Sequence, residues 1–375
     1  MYWVKRLVTA LSLLTVAAAV LAGCAAAHVP AGAGTPNQPG RGPALLHGKY
    51  QALAVAFPGG GRGFALLSGY PGTSSTVRSW VERTADGGRH WTASPPVSGP
   101  DQPGTQAGLV FASASQGWAY LPGLFFTRDG GATWRAERTP FPLTGPVAVA
   151  GRSAWVAGYR CARSGCPAVI YTARRVGGPL RRLAHQPLPA GTVVAMARPS
   201  RPVAWLLLES PHGRFRLMTT SDAGRSWTAR PLPCLAAQRT GEQLSAADPG
   251  SLWLVCEGTP GAGSLPGTLY LTTDGGRRWH RIAAGNALQV HAVSDRVAWA
   301  VQGSPSGAAV VRTTDGGRTW RTVLSRTGTN IEAFAVRGPD SAQAAAEVLT
   351  PAGIRFVAYQ TRDAGQTWQR ARLPA

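Results

Sequence analysis

The sequence is poor in acid, in lysine, in cysteine and in long apolar runs. Only 17 of its 375 residues are Asp or Glu, against 38 Lys and Arg, and the formal net charge is +21. So few carboxylates leave little material for chemistry that needs them in pairs. Lys5 and Lys49 are the only lysines, and all other basic residues are Arg. With abundant Ala, Gly and Pro, this points to a GC-rich genome, so part of the basic surplus is codon bias. Only residues 7–21 form an apolar run long enough to matter to a membrane, which excludes a polytopic membrane protein. Uninterrupted helix is excluded as well, because 47 Gly and 30 Pro would break helices every few residues. The glycines lack a three-residue period, so collagen is excluded. What the chain does have is 44% hydrophobic residues and 13 Trp, ample for a core and contrary to disorder. A turn-rich all-β protein of one large or two small domains remains.

The N-terminus reads as an export signal: Lys5 and Arg6, the apolar run, then small residues before Cys24. Leu21-Ala22-Gly23-Cys24 resembles the bacterial lipobox, in which the Cys thiol takes a diacylglycerol and becomes the mature N-terminus. An ordinary signal peptide, or an uncleaved anchor with an incidental Cys, is the alternative. The lipobox reading makes 1–23 a signal peptide and 24–43 a lipidated Cys with a flexible Ala/Pro/Gly tether. Loss of Lys5 and Arg6 takes the net charge from +21 to +19. The expected location is the outer side of a cell membrane, lipid-anchored. Four Cys remain, Cys161, Cys166, Cys234 and Cys256, and outside the cytoplasm disulfides are plausible. Of three pairings, Cys161–Cys166 with Cys234–Cys256 is favoured because each pair is local. No His stands near either pair at ligand spacing, so no metal is expected.

An internal repeat organises the rest. The pattern T-x-D-[GA]-G-x-x-W occurs six times, with Asp86, Asp129, Asp222, Asp274, Asp315 and Asp363 paired to Trp91, Trp134, Trp227, Trp279, Trp320 and Trp368. The Trp steps are 43, 93, 52, 41 and 48 residues. The 93-residue step is double, and residues 171–178 supply a degenerate copy that keeps Thr172, Gly177 and Gly178 but lacks the Asp and the Trp. A second, in-phase repeat places Trp118, Trp155, Trp205, Trp253 and Trp299 in short apolar strands upstream of the boxes, with Phe64 and Gln343 at the same position in units 1 and 7. Each unit reads as four strands, A to D. In unit 6 these are predicted at 288–293, 297–302, 308–313 and 319–324. Seven such units in residues 44–375, about 47 residues each, predict an all-β, seven-bladed β-propeller of four-stranded blades. The box Asp is expected to cap the C–D turn, and the box Trp to pack between neighbouring units.

These segments resemble the Asp-box, or bacterial neuraminidase repeat, of sialidases, sortilin-type receptors and several glycoside hydrolases. The Gly-Trp-Ala strand followed by T-x-D-G-G-x-T-W more closely resembles the photosystem II assembly and stability factor-like propellers. The resemblance covers nearly all of 44–375 and implies fold far more than function. A glycosidase would need a carboxylate pair, or a Tyr nucleophile with a Glu, an acid Asp and an Arg triad. Six of ten Asp are in boxes, Asp248, Asp295 and Asp340 sit at A–B turns, and the Glu residues are scattered. No catalytic residue, cofactor or metal is therefore expected.

The expectation is a non-catalytic binding or assembly scaffold for a protein or an anionic envelope partner. A glycoside hydrolase or carbohydrate-binding protein is the alternative. No aromatic–basic motif points to nucleic acid. Strand order places the A–B and C–D turns on one face and the variable B–C and D–A loops on the other. The candidate ligand face is the second, with Arg160, Arg163, Arg214, Arg239 and Arg326 on or near it.

Overall fold

The computed structural model describes residues 50–372 apart from 60, 70–77, 89, 98–106, 122, 160–166, 184–187, 235–238, 258–266, 305 and 351–352. Cys24 and the residues expected to form a signal peptide and a tether lie outside these residues. Seven antiparallel four-stranded sheets, each a meander in sequence order, form the blades. They span 50–93, 108–136, 143–182, 192–230, 239–282, 287–327 and 329–372. The A strands contact one another in succession, and that of blade 1 packs against that of blade 7, so they line the axis of a closed seven-bladed β-propeller. No helix occurs among the described residues. In blade 6 the strands run Ala287–Ala292, Ala298–Ser304, Gly307–Thr313 and Arg321–Thr327, within about three residues of the sequence reading. Blade 1 contains Tyr50–Gly59, Arg62–Gly69, Arg78–Thr84 and Thr92–Ala93, and blade 7 ends on its own fourth strand, Gln369–Arg372. Among the described residues each blade is complete without strand exchange.

The B strands carry the packing. Trp118, Trp155, Trp205, Trp253 and Trp299 are at most 2% exposed, as are Phe64 and Gln343 at the equivalent positions. Phe64, Trp155, Trp205, Trp253 and Trp299 each pack with the box Trp of the next blade. Trp155 and Trp227 have ring centroids 6.0 Å apart, Trp253 and Trp320 6.1 Å, and Trp299 and Trp368 6.4 Å. The last two pairs are edge-to-face, the geometry favoured by the ring quadrupole. The indole N–H of Trp279 also donates to the carbonyl of Pro231 in the preceding blade, at 2.9 Å.

The box explains how this Trp is aimed. In blade 6, Thr313 Oγ1 donates to Asp315 Oδ1 (2.8 Å) and accepts the Gly317 N–H (3.0 Å). Asp315 Oδ1 accepts the Thr319 N–H (3.0 Å), and Oδ2 accepts the Thr319 hydroxyl (2.6 Å). The first small residue ties the turn to the A–B turn of its own blade: Gly316 N–H donates to Arg296 O at 2.9 Å. The corresponding bonds in the other five boxes are 2.7–2.9 Å. The two small positions are not equivalent. Both have positive φ, yet Ala223 (62°) and Ala364 (59°) are accepted at the first. A Cβ on Gly275 meets nothing within 4 Å, whereas one on Gly317 would fall 2.6 Å from Ile282 Cγ2 and 3.4 Å from Trp253. The second position is glycine because the preceding blade presses against it.

Blade 3 corrects the placing of the degenerate box. Ala154 pairs with Ala173 as Ala204 pairs with Thr220 and Ala298 with Thr313. The box Thr position is therefore Ala173, one residue later than Thr172, which faces the other side of the strand. Arg175 then stands for the Asp and Leu180 for the Trp. Leu180 packs in the cluster of Trp118, the inner-strand Trp of blade 2. Having lost its own Thr and Asp, this turn is held from outside. Arg128 of blade 2 donates to Val176 O from Nε (3.2 Å) and Nη2 (3.1 Å), and to Gly177 O from Nη2 (2.9 Å).

Gly317→Ala should lower stability by roughly 2–3 kcal/mol, from left-handed backbone strain plus overpacking. Gly316→Ala should cost about 1 kcal/mol, strain alone. Calorimetric melting of the two variants checks this, and equal losses would contradict the account.

Candidate functional site

The box carboxylates are structural in geometry. All six Asp accept the hydroxyl of the box Thr at 2.7–2.9 Å. Asp222, Asp315 and Asp363 are held well below the ordinary carboxylate range. The hydroxyls of Ser226, Thr319 and Thr367 contribute most, followed by the backbone N–H groups of the same residues. In blade 5 the fourth-on residue is Arg278, which has no hydroxyl, and its backbone N–H is the main cause of the lowering at Asp274. In blade 1 the same place is taken by His90, whose Nδ1 lies 2.6 Å from Asp86 Oδ2. His90 is thus partnered within its turn. Asp248 accepts the N–H groups of Gly250 and Ser251, both at 2.8 Å, in the A–B turn of blade 5.

Guanidiniums have found backbone carbonyls rather than carboxylates. Besides Arg128, Arg312 Nε donates to Pro339 O (3.1 Å) and lies over the Trp299 ring. Arg321 reaches Ala364 O (3.3 Å), and Arg198 reaches Ser153 O (3.3 Å) while covering Trp155. Each of these bonds crosses from one blade to its neighbour. Among the described residues the only ion pair is His90–Asp86. Among the described residues, part of the basic surplus thus serves blade junctions.

Of the five arginines expected on the loop face, Arg160 and Arg163 lie outside the described residues, as do Cys161 and Cys166. Arg214 is exposed in the B–C turn of blade 4, its N–H donating to Ser210 Oγ at 3.0 Å. Arg326 is exposed on strand D of blade 6 and makes only a local bond, to Ser325 O at 3.4 Å. Arg239 opens strand A of blade 5 opposite Glu257 in the ladder. The described members thus sit on different blades. Cys234 and Cys256 are joined in a disulfide with Cα atoms 5.5 Å apart, linking the segment after blade 4 to strand B of blade 5.

Two groupings were not legible in the sequence. The first is acidic: Glu332 and Glu347 come together in blade 7, where Asn330 pairs with Glu347 across the ladder. Burial raises the Glu332 carboxyl, and Glu347 raises it further. The second lies on the box face between blades 7 and 1. There a cleft of ≈ 190 Å³ is lined by Arg62, Arg337, Arg362, Gly61, Gly87 and Gln360, among others, and no carboxylate lines it. The same junction is polar beneath the surface. Gln343 replaces the inner-strand Trp, and both its amide atoms are buried without a partner. Glu82, fully buried, stands where the other blades carry Phe125, Tyr171, Met218, Tyr270, Val311 and Tyr359. Its Oε1 accepts the Trp80 indole N–H at 3.1 Å, and its Oε2 has no partner. Burial pushes its carboxyl up to about 7.

The comparisons with known proteins bear on the fold. No protein-family model and no curated protein matches the chain. Solved structures do. YCF48 from Cyanidioschyzon merolae is 17% identical with a TM-score of 0.56, over 87% of this chain and 99% of that one. YCF48 bound to D1 peptide is 18% identical with a TM-score of 0.50, over 71% and 82%. The β-propeller domain of the Trilobed protease from Pyrococcus furiosus, of open velcro topology, is 6% identical with a TM-score of 0.55, over 86% and 97%. At these identities the likeness shows a shared propeller architecture.

Glu82 yields a pH prediction. Its folded pKa lies above the unfolded value of 4.5, so its contribution is fully favourable below about pH 4.5 and is lost as pH rises to about 7. Glu82→Gln should match the wild type near pH 4.5 and exceed its stability at pH 8 by on the order of 3 kcal/mol. Denaturant melts at both pH values check this, and parallel pH profiles would exclude Glu82 as the titrating group.

Proposed function

We propose that the chain is an exported lipoprotein, anchored through Cys24, whose propeller is a non-catalytic binding or assembly scaffold for a protein or an anionic envelope partner. The carrying observation is the fate of the charges. The box carboxylates are bound into turns, while many arginines find no carboxylate and face solvent. A rigid ring with exposed guanidiniums and variable loops is suited to hold an anionic surface and offers little acid–base chemistry. YCF48 in complex with D1 peptide is a propeller of similar architecture that engages a peptide, which supports a protein partner here. The loop face is the preferred docking side because its segments vary between blades while the box face repeats.

Glu332 and Glu347 favour one alternative, a glycoside hydrolase, because they are the carboxylates the fold brings together. On that reading Glu332→Gln and Glu347→Gln would each abolish hydrolysis of a glycoside substrate.

Two outcomes are expected. Cys24→Ala should move the protein from the membrane fraction to the soluble exported fraction in cell fractionation, and unchanged membrane retention would overturn the anchor. Purified protein should release no sugar from envelope polysaccharides, and cross-linking in intact cells should capture a partner. Sugar release that is lost in Glu332→Gln would overturn the scaffold in favour of the enzyme.

A further inference from the structure

The cleft between blades 7 and 1 carries an inference independent of the loop-face reading, since it opens on the opposite face. It is built from the A–B and C–D turns of the two blades. Blade 1 supplies Gly59, Gly61, Arg62 and Gly87, and blade 7 supplies Arg337, Gln360 and Arg362. Backbone geometry makes room for the guanidiniums. Gly59 (φ +113°) lies against Arg337, where a Cβ would come within 2.6 Å of Cζ. Gly87 (φ +77°) lies against Arg362 in the same way, with a Cβ 2.2 Å from Nη2.

Arg362 is also oriented from behind. With the Gln360 amide placed so that both its ends are satisfied, its oxygen accepts from Arg362 Nε (2.8 Å) and Nη2 (3.1 Å), and its nitrogen donates to Gly87 O. Gln360 is 7% exposed, so this brace is buried while the guanidinium it holds reaches solvent. Nη1 of Arg362 is left for a ligand. Arg337 shows no side-chain hydrogen bond to described residues, and its guanidinium lies against Gly59 of the lining. Arg62 lines the cleft as well, but its guanidinium turns toward blade 2, where Nη1 lies against Gly130. The carboxylates of the adjoining box turns are engaged within those turns: Asp86 is bound to Thr84 and His90, and Asp363 to Thr361 and Thr367.

The two like charges of Arg337 and Arg362 at one cleft repel one another, and no protein group on its lining neutralises them. Tetrahedral oxyanions satisfy such a cluster, because several guanidinium N–H groups can each take a separate oxygen. The volume, ≈ 190 Å³, holds such an ion with some water. We propose that this cleft is a phosphate-binding site that bridges the first and last blades, and that its ligand is a phosphate group, either the free ion or an ester.

Isothermal titration of the whole exported chain, at constant ionic strength, tests this with inorganic phosphate and with glycerol 1-phosphate. Saturable binding of at least one probe is expected, weakened about tenfold or more in Arg337→Gln and in Arg362→Gln. Arg152→Gln, exposed in the A–B turn of blade 3, should bind as the wild type does. Tighter binding of glycerol 1-phosphate than of phosphate assigns the site to an esterified group, and the reverse assigns it to the free ion. Gly87→Ala, which would displace Arg362, serves as a second variant, and circular dichroism establishes that each variant is folded. No saturable binding of either probe, or equal binding by wild type and both cleft variants, overturns the proposal. A failed partner search at the loop face leaves it standing.

Discussion

A threonine hydroxyl and an aspartate carboxylate, sharing one short turn, set the geometry on which the ring depends. The carboxylate replaces ladder hydrogen bonds that a two-residue reversal cannot make. The turn so fixed starts the outer strand with its Trp directed at the preceding blade. A propeller has no core common to all blades. Its cohesion is a series of junctions, in five of which an aromatic residue from strand B of one blade meets the box Trp of the next. Because each box also bonds to the A–B turn of its own blade, the inner hairpin and the outer hairpin move as one piece.

Where that device is missing, arginine substitutes. The turn of blade 3 has neither Thr nor Asp, and three guanidinium bonds from Arg128 cap its carbonyls instead. Guanidinium-to-carbonyl bonds recur at the junctions of blades 3 with 4 and 6 with 7. Part of the high basicity is thus architecture, a role that counting charges does not reveal. The junction of blades 7 and 1 is the other exception. A Gln and a Glu sit where the pattern places Trp and a hydrophobic residue, so the ring closes through its most polar interface.

The architecture was legible in the sequence because its cause is local. A box needs its Thr, Asp, Gly and Trp within eight residues, so the period could be counted directly. Blade 3 was misplaced by one residue because Thr172 imitates a box Thr, and only the pairing of Ala154 with Ala173 shows which side of the strand it occupies. The cleft arginines, the coupling of Glu332 with Glu347 and the buried Glu82 were not legible. Each depends on tertiary placement, and Arg337 and Arg362 meet Gly59 and Gly87 only because the ring closes. The loop-face arginines were chosen from loop positions alone, and Arg214 and Arg326 stand on separate blades.

The complete first blade also has a consequence for how the molecule is presented. Its innermost strand begins at Tyr50 on the side of the B–C and D–A loops, close to the axis. A tether attached there leaves from the centre of the loop face rather than from the rim. With Cys24 as the proposed anchor, the 26 residues from there to Tyr50 would reach at most about 90 Å. A lipid-anchored ring would therefore hang like a lampshade from a cord through its middle. Its variable loops would be turned toward the bilayer, and the repeated turns with the arginine cleft would face away from it.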